Sequence, residues 1–169
     1  MAGLLNLTDA EESGFDALPA GTYLCELFSH EMAETKGREG SALPAGTPML
    51  KMQFKVVSND DGNTEIEDDG KTISLENRRL FGQWVIAPQE INGEPYKHYK
   101  MMNGQLVSLF KALGYEEETI RAKKGFDPNF EDDYGKQVLV TVGRDTDYNS
   151  NPVKKVKPVG EGVGAGALL

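Results

Sequence analysis

Hydrophobic and polar residues alternate in five stretches of the chain, and in one further stretch they switch to a helical spacing. MLKMQFKVV (49–57) alternates most cleanly, with Leu50, Met52, Phe54 and Val56 on one face and Lys51, Gln53 and Lys55 on the other. That period of two is the mark of a half-buried strand. GTYLCELFSHEMAE (21–34) predicts an earlier strand, with Tyr23, Cys25 and Leu27 opposed to Glu26, Phe28 and His30. RRLFGQWVI (78–86) predicts a third, in which Leu80 shares a face with Trp84 and Phe81 shares the other with Val85. The alternation leaves open which of those faces points inward. KQVLVTVGR (136–144) aligns Val138, Val140 and Val142 as a fourth strand, and NPVKKVKPV (151–159) is a short fifth bounded by prolines. Between the third and fourth, Met102, Leu106, Leu109, Phe110 and Leu113 form one apolar helical stripe. Gly114 is a natural stop for that helix and Asn103 a candidate N-cap. EEETIRAKKG (116–125) predicts a second, short helix, acidic at its start and basic at its end as the helix dipole prefers.

The intervening segments read as loops. Residues 1–18 lack sustained periodicity and are expected to form a flexible arm; GEGVGAGALL (160–169) is expected to be a flexible glycine-rich tail. Residues 19–159 remain as one domain, within the range of a single core. TKGREGSALPAGTP (35–48) is rich in glycine, proline and charge, and SNDDGNTEIEDDG (58–70) is an acidic, turn-rich excursion. In 87–101, Asn92-Gly93 either turns a hairpin or simply loops. The hexapeptide ALPAGT occurs at both 17–22 and 42–47, but the similarity stops there, with YLCELF after one copy and PMLKMQ after the other. A device that leads into a strand, used twice, fits better than a repeat architecture. Three strands, a helix and two more strands is the element order of the OB-fold. The expected fold class is therefore mainly β: a five-stranded OB-like Greek-key barrel with a helix between strands 3 and 4.

Charge sharpens this picture. The net charge is -9 over 169 residues, but it is uneven. Residues 1–70 carry 4 basic and 14 acidic side chains, whereas 71–115 carry 6 basic and 3 acidic. Residues 116–135 are net -4 and 136–169 net +2. A basic groove on an acidic protein is compatible with that distribution. No apolar run approaches the about 20 residues of a membrane helix. The N-terminal residues lack the basic lead-in of a secretory leader. The one cysteine, Cys25, suits a reducing cytoplasm.

Catalytic and metal chemistry find no support in the residue pattern. His30, His98 and Cys25 lie in separate elements, and the acidic 60–69 stretch fails the calcium-loop pattern in every register. Cys25 reads as a core residue rather than a nucleophile. The glycines of the C-terminal tail follow a proline-bounded strand and precede no helix, so they do not form a dinucleotide site. The chain is expected to be no enzyme and to use no cofactor or metal.

Binding a nucleic-acid strand needs cations for phosphates and aromatic faces for bases. The candidates are Lys51 and Lys55 on the second strand and Arg78, Arg79, Phe81 and Trp84 on the third. Tyr96, Tyr99 and Lys100 lie in the interleaved YKHYK run, and Lys154, Lys155 and Lys157 crowd the fifth strand. Outward lysines on strands are also ordinary solvated positions that discourage edge pairing.

PAGTYLCEL, PMLKMQFKVVS, RRLFGQW, NGQLVSLFKALG, GKQVLVTVGRDTDYN and NPVKKVKP follow one another in an order that resembles a family of small bacteriophage proteins. These are regarded as OB-fold single-stranded-DNA-binding proteins and were long catalogued as a domain of unknown function. The resemblance covers roughly 19–159. It implies sequence-independent protection of single-stranded DNA during phage replication or recombination, in the host cytoplasm, with replication or recombination proteins as further partners. It points to Lys51, Lys55, Arg79, Lys154 and Lys155 as phosphate contacts. Many bacterial single-strand-binding proteins end in an acidic tail that recruits partners, whereas this chain ends GVGAGALL, with a single acid nearby at Glu161. The alternative from another class is a non-catalytic protein–protein module, either a phage structural component or an acidic inhibitor that mimics DNA.

Overall fold

A computed structural model describes residues 16–37 and 43–160. The elements run β1 (Gly21–Glu34), β2 (Pro48–Asn59), β3 (Glu65–Asp68), β4 (Lys71–Ser74), β5 (Arg79–Val85), β6 (Glu90–Ile91), β7 (Glu94–Pro95), α1 (Tyr99–Ala112), α2 (Glu117–Ile120), a 3-10 turn at Phe130–Asp133, β8 (Gln137–Val142) and β9 (Val153–Pro158). The five strands expected from alternation are all present, and they make one antiparallel sheet in the order β5-β2-β1-β8-β9. The arm and tail expectations for 1–15 and 161–169 lie outside the described residues.

The expected OB-like barrel is not formed. Closure would need a hydrogen-bonded ladder between β5 and β9, and among the described residues β5 pairs only with β2 and β9 only with β8. Three features keep that seam open. Pro152 and Pro158 flank or end β9 and carry no N–H to donate. Lys154, Lys155 and Lys157 place charge along the same short strand. Helix α1 packs on both strands, with Gln105, Ser108 and Leu109 set beside Gln83, Trp84 and Val153–Val156. A second helical region, α2 with the 3-10 turn, adds to the departure from a simple barrel.

Local rules explain several elements. α1 begins at Tyr99, four residues before the candidate cap Asn103, and its actual N-cap His98 gives no side-chain bond. Asn103 instead clamps Ala87, accepting from its N–H (3.0 Å) and donating to its carbonyl (3.1 Å). The helix stops as expected: Gly114 has φ +100° and donates to the Lys111 carbonyl. The acidic excursion forms a hairpin, β3–β4, turned by Asp69-Gly70 with both residues at positive φ. Its Ile66 and Ile73 pack on the core, and Asp68 pairs with Arg144 at 2.9 Å. Asn92-Gly93 turns the two-residue hairpin β6–β7. α2 is only four residues long, with Arg121 paired to Glu117 at 3.2 Å.

One continuous core joins the inner sheet face to α1. Tyr23, Cys25 and Leu27 of β1 meet Leu50, Met52, Phe54 and Val56 of β2, with Leu80 and Trp84 from β5 and Leu106, Leu109 and Leu113 below. The parity question at β5 is thereby answered: Trp84 points in, edge-on to Phe54 with ring centroids 6.3 Å apart, and Phe81 points out. The Trp84 ring lies over Gly82, where a Cβ would collide with it. Beyond a bulge between Leu27 and Ser29, β1 changes parity, so His30 lies opposite Met52 and Met32 opposite Leu50. Asp133, 2% exposed, ties the far end together: Tyr115 Oη donates to it at 2.5 Å and Lys136 pairs with it at 2.6 Å.

Gly82→Ala is expected to displace the Trp84 ring and cost about 1–3 kcal/mol of stability by overpacking, measured by urea denaturation. An unchanged urea midpoint would remove Gly82 from the packing of the core. A second expectation concerns pH. Burial pushes the Cys25 thiol up to about 12. Tyr23 also rises to about 12, chiefly through burial, and Tyr115 does so through burial and its bond to Asp133. The folded state therefore holds these protons after the unfolded chain has lost them. Stability is full below the ordinary thiol and phenol range and declines as pH rises through it toward 12. Urea midpoints should fall between pH 8 and pH 11; a flat profile would contradict the buried placement.

Candidate functional site

The two outermost strands place their free edges toward each other, and a groove lies where they part. It has a volume of about 660 Å³ and is bordered by Arg79–Phe81 and Gln83 of β5 on one side and Asn149–Pro152 on the other. The loop wall is rigidly tied. Asn151 accepts from the Leu18 N–H (2.8 Å) and donates to the carbonyls of Leu18 (2.7 Å) and Gly143 (2.9 Å). Asn149 accepts from the Ala17 N–H at 2.7 Å. The seam continues into a smaller cavity of about 170 Å³, where Lys154 and Lys155 face Gln83.

The outward faces of β1, β2 and β5 form a patch beside this groove. Phe81 is 60% exposed and Phe28 42% exposed, and the Arg79 guanidinium sits 4.0 Å above the Phe28 ring. Cross-strand register sets Lys55 against Arg79, Gln53 against Phe81 and Lys51 against Gln83. Glu26 and Glu31 of β1 stand opposite Lys55 and Lys51, so the cationic part of the patch lies toward the β5 edge. A stacked arginine and two exposed phenylalanines on the outer face of the sheet are the residue types that anchor protein interfaces.

The backbone at that edge is available as well. The Val56 N–H donates to the Arg78 carbonyl and the Ile86 N–H to the Pro48 carbonyl, both at 2.9 Å. With the β2–β5 register unbroken, the even-numbered residues of β5 therefore bond to β2. Arg79, Phe81, Gln83 and Val85 turn their N–H and C=O groups to the open side.

The sequence-derived candidates divide accordingly. Lys51, Lys55, Arg79 and Phe81 come together on the patch, and Lys154 and Lys155 flank the seam. Arg78 is 8% exposed; it donates to the Asp16 carbonyl, and burial pulls its pKa down, so it braces the chain rather than offering a surface charge. Trp84 is in the core. Tyr96 donates to the Met102 sulfur (3.6 Å) and Tyr99 accepts from Gln89 (3.0 Å); with Lys100 they sit at β7 and the start of α1, and none borders the groove. Lys157 of β9 lies opposite Leu139 of β8. Phe28 was not among the candidates. Its signal was an apolar residue on the polar side of the β1 alternation.

The single-stranded-DNA reading loses its structural basis here, because the barrel whose groove would carry the strand is not closed. The expected stacking surface is also dismantled: of Trp84, Phe81, Tyr96 and Tyr99, only Phe81 stands exposed beside the cations. Among the described residues no cluster of His, Cys, Asp and Glu is placed to hold a metal ion, and no helix is long and apolar enough to cross a membrane.

Trp84, 9% exposed, is expected to be quenched by acrylamide several-fold less efficiently in the folded protein than in urea. Equal quenching would place the indole at the surface after all. No protein-family model matches the sequence, and no curated protein matches it.

Proposed function

We propose that this chain is a non-catalytic binding module that takes a segment of a partner protein, acidic and apolar in character, on the β2–β5 side of its sheet. The observation that carries this reading is the joint exposure of Phe28, Arg79 and Phe81 beside Lys51 and Lys55. The aromatic rings offer apolar area at low entropic cost, and the three cations select an acidic neighbour. A long polyanion is less well served, since the chain is net -9 and Lys55 and Lys51 of the patch stand opposite Glu26 and Glu31. The lone, buried Cys25 fits work in a reducing cytoplasm.

The test is fluorescence anisotropy with a labelled peptide in which glutamate and valine alternate with serine, at low salt. Saturable binding is expected. The double variant Lys51→Glu, Lys55→Glu should weaken it at least tenfold, and Phe81→Ala by about tenfold, as for a central aromatic anchor. Lys123→Glu with Lys124→Glu, on the turn after α2, should leave it unchanged. Absence of saturable binding overturns the proposal. So does a thymidine oligomer that binds tightly and is not displaced by the peptide.

A further inference from the structure

We infer, resting on the polypeptide-binding reading above, that the partner segment binds in extended form as a sixth strand on the free edge of β5. Three independent features of the seam support this. The first is the ladder: Arg79, Phe81 and Gln83 present N–H and C=O groups away from β2, and no ladder covers them among the described residues. Unpaired backbone groups in a row are a template for another strand.

The second is room. The groove of about 660 Å³ opens along Arg79–Phe81 and Gln83, where β5 diverges from the Asn149–Pro152 wall. Past Gln83 the seam narrows to the cavity of about 170 Å³ against Val153–Val156, and β9 comes within 8 Å of β5. A strand of about five residues, at about 3.3 Å each, is thus confined to the groove from Arg79 to Gln83.

The third is the contrast between the two edges of the sheet. β9 carries three lysines in six residues and is bounded by prolines, a composition that repels edge pairing. β5, RLFGQWV, has a single charge and no proline. One edge is guarded and the other is open.

Register then specifies the ligand. Residues of an added strand that share the outer face lie beside Arg79 and Phe81, which are two positions apart on that face. An acidic residue beside Arg79 and an apolar one beside Phe81, two positions apart, give the pattern apolar-x-acid for a segment that pairs antiparallel, as every strand of this sheet does. Lys154 and Lys155 across the seam favour further acid at the end nearer Gln83. The partner is thus a short extended segment with carboxylate and aliphatic or aromatic side chains alternating on one face.

Amide hydrogen exchange, read by NMR on the full chain with and without saturating Glu/Val alternating peptide, tests this. The Phe81 and Gln83 amides should slow at least tenfold, while those of Leu80 and Gly82, already bonded to β2, should change little. N-methylation along the peptide should weaken binding at every second residue. Gln83→Pro removes a free-edge donor where proline is tolerated, and should lower affinity at least tenfold with an unchanged melting temperature. If the peptide binds but Phe81 and Gln83 gain no protection, or the methylation scan is flat, the strand-addition inference falls and the binding module stands. If no peptide binds, the functional reading itself falls. Should Gln83→Pro fail to fold, the exchange measurement on the unmodified chain decides alone.

Discussion

β1 is the strand to which the rest of the sheet is referred. It pairs with β2 from Tyr23 to Glu34 and, over Gly21–Glu26, with β8 on its other side. Two register shifts against β2, at Leu24/Cys25 and Leu27/Ser29, bend it as it goes. The first stretch of β1 buries Tyr23, Cys25 and Leu27; past the second bulge, His30 and Met32 take that side, opposite Met52 and Leu50, with Met32 left largely exposed. That bend curls the sheet over α1, and it directs β5 and β9 toward each other from opposite sides. Everything distinctive about the molecule follows from the fact that they approach without pairing.

An antiparallel sheet with two edges must manage both. At β9, lysines and prolines prevent further pairing. At β5, the inner face is committed to the core through Leu80 and Trp84, with Gly82 leaving space for the indole. The outer face and the free backbone edge are not committed. Arg79 stacked on Phe28, with Phe81 alongside, is therefore exposed for a reason of architecture: α1 fills the space below the sheet, and nothing among the described residues covers the space above it.

Much of the fold was legible from residue spacing. Strand ranges at 21–34, 49–57, 78–86, 136–144 and 151–159 lie close to the observed ones, and the stripe from Met102 to Leu113 marks α1. The hairpin β3–β4 reads in sequence as an acidic loop, although Asp69-Gly70 between Ile66 and Ile73 carries the local signal of a two-residue turn. Its charge masked its alternation. Asn103 looked like a cap because capping is judged from neighbours in sequence, whereas its partner, Ala87, is 16 residues away. Alternation alone turns His30 outward because a bulge, which inverts parity, leaves no mark in the alternation itself. Of the candidate site, the charges on β2 and β5 were legible; the withdrawal of Trp84, Tyr96, Tyr99 and Arg78 into structural roles was not.

By itself the sequence determined where backbone periodicity changes, which residues end or turn each element, and that one core of ordinary size forms. Those properties depend on φ, ψ preferences and side-chain spacing over a few residues, so they are written locally. Tertiary structure alone decided that β5 and β9 do not join, which face of β5 turns inward, and that Phe28 meets Arg79. These depend on residues far apart in the chain whose register is set by packing, and a shift of one residue exchanges the buried face for the exposed one. The order of elements is the same for a closed barrel and for this open sheet. The difference lies in a ladder of backbone bonds, which the β9 prolines and lysines disfavour locally but whose absence is settled by how α1 packs between β5 and β9.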